Sequence, residues 1–209
     1  MKKNKNRRHA LGASMAELGP AMFAFFLFIL FPLINFLTMA TGASTLYLLT
    51  KQAASKAGSS TTFGQGLIAA DEAAYSIETG GFGKFAKLVP IGGFNGSGVD
   101  LYITETNINT NVSTRNGPNT PFVTNPVDPD VYLYSYDAVA TFEIGPFMEL
   151  GGIPWIGSVP GVGLPARLTY TASEQVEHPE GIITGIAPAD IPDSRNHNQN
   201  INGHFDSAL

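Results

Sequence analysis

Two positions near the N-terminus carry most of the chemistry this sequence offers. Gly12 stands five residues before Glu17, a short basic stretch (MKKNKNRRHAL) precedes Gly12, and no charged residue follows Glu17 until Lys51. A carboxylate at the edge of a membrane span costs on the order of 1 kcal/mol or more at depth, so a lone one is expected to have a role. Cleavage between Gly12 and Ala13 would make Glu17 the fifth residue of the shortened chain. Glu17 also has a purely local reading. Ser14-Met15-Ala16-Glu17 fits a capping box, in which hydroxyl and carboxylate each satisfy a backbone N–H of the first helical turn. The helix macrodipole favours a negative charge there by about 0.3–1 kcal/mol. That reading leaves the leader and Gly12 unexplained.

The remaining polar residues form no recognisable catalytic pattern. There is no G-x-S-x-G turn, no phosphate-cradling glycine loop and no H-E-x-x-H pair. The glycines of Gly92-Gly93-Phe94-Asn95-Gly96-Ser97-Gly98 precede a strand instead of opening a helix after one, which excludes a dinucleotide loop. His197, His204 and Asp206 could gather a metal only in a polar tail without a second shell of supporting groups. Glu174, Glu177 and Glu180 fit a solvated, charged strand edge better than an acid/base pair. The expectation is therefore a non-enzyme with no cofactor and no metal.

The elements around Gly12 and Glu17 are clear. From Ala21 to Leu37 the chain is almost wholly apolar (AMFAFFLFILFPLINFL), and about 20 such residues at 1.5 Å each match a hydrocarbon core of about 30 Å. A secretory signal peptide cut near Ala40–Ala43 is a competing reading, but this run exceeds the usual apolar region of about 7 to 15 residues. The uncharged stretch from Leu18 to Thr50 would be about 50 Å long as a helix, so its second half is expected to protrude as a stalk. Leu46, Leu49, Ala53 and Ala57 recur there at helical spacing, a stripe suited to lie on a globular domain. Pro32 should kink or locally loosen the span. Five of the 12 Lys/Arg lie in the leader; the rest of the chain has seven basic against 17 acidic residues, a net charge of −10. The positive-inside rule then keeps the N-terminus cytoplasmic and sends the acidic part across. An acidic exterior argues against nucleic acid as a partner. Cysteine is absent, so neither disulfides nor thiol chemistry are available.

Arg7-Arg8-His9-Ala10-Leu11-Gly12 followed by Ala13-Ser14-Met15-Ala16-Glu17 and an apolar helix resembles the class III signal of type IV pilin-like proteins. Within that group it is most similar to the TadE-like pseudopilins, or minor pilins, of tight-adherence (Tad, type IVc) pili. The resemblance covers about 30 residues, with a weaker continuation into an alanine-rich second helix. It implies that a prepilin peptidase cuts between Gly12 and Ala13 on the cytoplasmic side. It also implies that Glu17 meets the free N-terminal amine of a neighbouring subunit in an apolar helical core. Such a pair would fix the axial register of one helix against the next, since an unpaired buried charge is penalised. The partners implied are the bacterial inner membrane, the peptidase and other pilin subunits. The implied location is single-pass in that membrane, with entry into an extracellular pilus or secretion assembly.

Past the stalk, Gly64 to Glu78 suits a short helix ended by Gly80-Gly81. Three strands are expected from period-2 alternation: Val99–Thr104, Val131–Ile144 and Pro165–Val176. In the second, Tyr132, Tyr134, Tyr136, Ala138, Ala140, Phe142 and Ile144 share one side, as core or, less readily, as a carbohydrate platform. The expected fold class is α+β: a long membrane-spanning helix, a second short helix, a small antiparallel sheet of about three strands and a disordered polar C-terminal tail. The corresponding divisions are a leader (1–12), a span and stalk (13–58), an extracytoplasmic domain (59–186) and a tail (187–209). Asn107 to Asp130, rich in Asn, Thr and Pro, should be exposed and poorly regular. Gly145 to Gly163 is Gly/Pro-rich yet apolar and holds the single tryptophan, Trp155. Phe147, Trp155 and Ile156 either fold back over the sheet or form a contact surface for another subunit or the outer membrane boundary. A membrane-tethered binding or adhesion module using one of these loops is the rival to the pilin-like function.

Overall fold

The computed structural model describes residues 18–122 and 127–185; Gly12, Ala13, Glu17 and the C-terminal tail lie outside them. The described chain begins with one helix, α1 (Leu18–Gly58), 41 residues long and so about 60 Å from end to end. Its first half contains a π turn at Phe26–Leu30, closed by the Phe31 N–H donating to the Phe26 carbonyl. Pro32 explains its position: a proline has no N–H to give the turn before it, and a wider turn accommodates its ring. The expected loosening thus falls just N-terminal to Pro32 and leaves the helix continuous.

The Thr62 hydroxyl accepts from the Gln65 N–H at 3.2 Å and starts α2 (Phe63–Glu78). A short α3 (Gly81–Phe85) follows. The sheet is antiparallel throughout and built on a central strand. It comprises β1 (Leu88–Pro90), β2 (Val99–Asn107), β3 (Ser113–Asn116), β4 (Tyr132–Ile144) and β5 (Ala166–Gln175). One side of β4 pairs with β5 from Ser135↔Gln175 to Ile144↔Ala166. The other side pairs with β2 from Val99↔Ala140 to Asn107↔Tyr132, and then with β1 at its last three residues. β3 adds to the far edge of β2.

The fold is α+β as expected, but among the described residues the sheet has five strands where about three were read. β1 is too short to show an alternation. β3 (STRN) has no apolar face to advertise it and is held by the Asn107–Val112 turn, in which the Asn107 side chain accepts from the N–H groups of Asn109 and Thr110. The Asn/Thr-rich stretch is therefore more regular than expected. Asn119 also accepts from the Leu101 N–H at 2.9 Å, and Phe122 buries its ring edge-on to Tyr134.

The core lies between the inner face of the sheet and the two long helices. The stalk stripe of Leu46, Leu49, Ala53 and Ala57 is completely buried, against Ala70, Ala73 and Ala74 of α2 and the β4 ladder from Tyr134 to Ile144. Each fully buried leucine stabilises by about 1.5–3 kcal/mol. Tyr134 and Tyr136 of β4 are therefore core, with Tyr132 half-buried against it, which removes the carbohydrate-platform reading; Tyr136 packs on Phe63 with ring centroids 5.8 Å apart. Gly42 sets the closeness of helix and sheet, because a Cβ there would lie 2.7 Å from Ile144 Cγ2.

These contacts also fix direction. Gly42 meets Ile144, Tyr47 meets the ring of Tyr170, and Gly58 meets Glu174 and Gln175. β5 therefore runs with α1 and β4 against it. The connection between β4 and β5 must emerge where the uncovered half of α1 begins.

Candidate functional site

The first half of α1 is bare. Leu18, Phe23, Phe28, Ile29, Leu33, Phe36 and Leu37 are all more than half exposed. It is long and apolar enough to cross a membrane. Nothing else in the described residues covers this surface, so its apolar faces are available to lipid or to other helices.

Cover begins at Asn35, where the β4–β5 connection reaches down and fastens to the helix. The Asn35 Nδ2 donates to the carbonyls of Met148 (2.7 Å) and Val162, while Oδ1 accepts from the Met148 N–H (2.7 Å). The side chain is fully buried. Four residues on, Met39 lies against Gly161, whose φ of 80° and lack of a side chain both matter: a Cβ there would collide with the Met39 sulfur. The loop is also closed on itself. Ile153, Gly157 and Val159 donate to the carbonyls of Leu150, Ile153 and Ile156, and Gly161 donates to Leu164.

Of the two arrangements expected for this loop, a fold back over the sheet is not the one it takes, and Trp155 is left open to contact. It is clasped to the helix below the sheet. Phe147 is half exposed, with its ring 5.8 Å from that of Phe85 and its carbonyl 3.4 Å from Lys87 Nζ. Trp155 is 90 % exposed and holds a left-handed backbone at φ 76°, while Ile156 is half-buried. Gly12, Ala13 and Glu17 belong to the undescribed N-terminus, so their geometry is not part of this site.

Asn35 was not singled out from the sequence, although an amide within FPLINFL is a signal: a polar side chain in an apolar run needs a partner. α2 carries two further buried groups. Asp71 is 5 % exposed; burial pushes its carboxyl up, the Ser97 hydroxyl opposes this, and Glu72 adds to it. Burial likewise pushes Glu78 up, helped by the charge of Asp71. Neither lines the open groove of about 740 Å³ between α1 and α2, whose walls include Leu48, Gln52, Ile77 and Phe82. Among the described residues no three His, Asp or Glu side chains gather as a metal site. On the outer face of the sheet, Asp137 accepts from Thr104 and Ser173 at 2.6 Å each and pairs with Arg115 at 3.4 Å, tying four strands together. No family model matches this chain, and neither a curated protein nor a solved structure does.

Proposed function

We propose that this protein is a structural subunit of the pilin-like kind, similar to TadE-like pseudopilins, anchored by α1 in the bacterial inner membrane and assembling with other subunits through that helix. In this reading a prepilin peptidase removes the leader after Gly12, and Glu17 then sets register against a neighbour's N-terminal amine. The chain performs no catalysis; its partners are the membrane, the peptidase and other pilin subunits. The observation that carries the proposal is the division of α1. One continuous helix is the spine of the domain in its second half and an uncovered apolar rod in its first. A signal peptide removed near Ala40 would take away Asn35 and Met39, to which the β4–β5 loop is attached. That favours a helix retained in the working protein.

The test is Glu17→Ala in the native host. The variant should insert and be cut like the parent, but fail to co-purify or cross-link with partner subunits through the helix. Normal incorporation would reduce Glu17 to a helix cap. A full-length leader together with a monomer in detergent would favour the adhesion module instead. For that alternative the exposed Trp155 in one loop, or Ile108 and Val112 in the other at the far end of the sheet from Asn35, would supply the contact surface.

A further inference from the structure

Resting on the reading that α1 crosses a membrane, we propose that the Gly145–Gly163 loop is an interfacial anchor. It holds Trp155 and Phe147 in the headgroup layer of the leaflet from which α1 emerges. The height follows from counting. Starting at Leu18, just beyond Glu17, about 20 residues cross a hydrocarbon core of about 30 Å and reach the neighbourhood of Leu37. Asn35 and Met39 bracket that level, and both hold the loop. The bilayer is therefore what surrounds the loop whenever the helix is inserted.

The loop's chemistry fits that place. Its 19 residues include one charged side chain, Glu149. Irregular backbone is tolerated near hydrocarbon only when its polar groups are bonded within the protein. Asn35 meets this need by taking both Met148 backbone groups and the Val162 carbonyl. Trp155, at φ 76°, occupies a backbone region that costs a bulky residue on the order of 1–3 kcal/mol. The folded chain gains no packing from the indole in return, because the side chain points almost wholly outward. Tryptophan favours the membrane–water boundary. Beside Phe147, Phe85 extends the aromatic rim and Lys87 can raise its ammonium toward lipid phosphates. The anchor would give the domain a second attachment besides α1 and so fix its height and tilt.

Trp155 is the single tryptophan, so the unmodified chain reports on itself. The full protein is reconstituted in phosphatidylcholine/phosphatidylglycerol vesicles carrying acyl chains brominated at different depths, and recovered by flotation. The expected result is a blue-shifted emission, quenched most by lipids brominated nearest the glycerol and little by aqueous iodide. An aqueous emission quenched by iodide overturns the anchor. So does a blue-shifted emission insensitive to brominated lipid, which would mean that a second copy covers the indole. A Trp155→Phe chain carrying Phe28→Trp separates the two readings. Quenching at position 28 by lipids brominated mid-chain, with an aqueous Trp155 emission from the unmodified chain, overturns the anchor alone; no quenching at position 28 overturns the membrane span as well.

Discussion

Replacing Asn35 with leucine should free the β4–β5 loop while leaving the sheet intact. The substitution keeps a side chain of similar size and removes the three hydrogen bonds that Asn35 shares with Met148 and Val162. At about 0.5–1.5 kcal/mol each, the loss of all three amounts to about 1.5–4.5 kcal/mol of local stability. A factor of ten per 1.4 kcal/mol turns this into an opening equilibrium about 12- to 1,600-fold more favourable. The extra apolar surface of leucine can offset a little of this only if the loop stays down, and staying down strands the Met148 N–H without a partner. Hydrogen exchange followed by mass spectrometry in nanodiscs reads the effect directly. Peptides covering residues 145–163 should exchange faster by that factor, while those from β4 should not change. Thr38→Val is the matched control, because the Thr38 hydroxyl, buried at the same level, bonds the Ile34 carbonyl of its own helix at 3.1 Å instead of the loop. Unchanged exchange at Met148 in Asn35→Leu would refute the clasp.

Other consequences follow from the core. The Tyr136 hydroxyl is buried without a hydrogen-bond partner among the described residues, and burial holds its pKa far above the usual tyrosine value. Tyr136→Phe should therefore stabilise the domain by about 1 kcal/mol, seen as a higher denaturant midpoint; a lower midpoint would show that the hydroxyl is satisfied. Asp71 has a folded-state pKa raised above its ordinary 3.8, so its ionised form costs stability. That cost is absent below the ordinary value and complete once pH has risen past the folded one. Asp71→Asn should thus gain on the parent as pH rises through the weakly acidic range, with Glu78 leaving a residual slope; parallel stability–pH curves would contradict this. Gly42→Val should destabilise by about 1–3 kcal/mol through overpacking against Ile144, checked by the same denaturant titration. Wild-type stability in Gly42→Val would show that helix and sheet are not in close contact there.

Much of the fold was legible because its core is periodic. The 3.6-residue stripe of Leu46, Leu49, Ala53 and Ala57 and the two-residue ladder of β4 each point to one buried face, and both faces are where the pattern placed them. β4 starts one residue later than expected and ends where expected, β5 is shorter by a residue at each end, and β2 runs three residues longer. β1 and β3 were invisible for a physical reason: three or four residues paired at a sheet margin need only backbone bonds, and backbone bonds leave no trace in side-chain pattern. The apolar character of the Trp155 loop was legible, but its destination was not. That depends on β4 running against α1, a tertiary relation set by Gly42, Ile144 and their neighbours. Asn35 escaped notice because its partners lie more than a hundred residues away. The pair Gly12 and Glu17 rests on the sequence alone.

The cut after Gly12 is the claim on which the pilin-like reading depends most directly. Intact-mass measurement of the protein extracted from its native membrane, with sequencing of its N-terminal peptide, decides it. The account predicts a chain that begins at Ala13 and retains all of α1. A chain that still carries residues 1–12, or one that begins near Ser44, would contradict it.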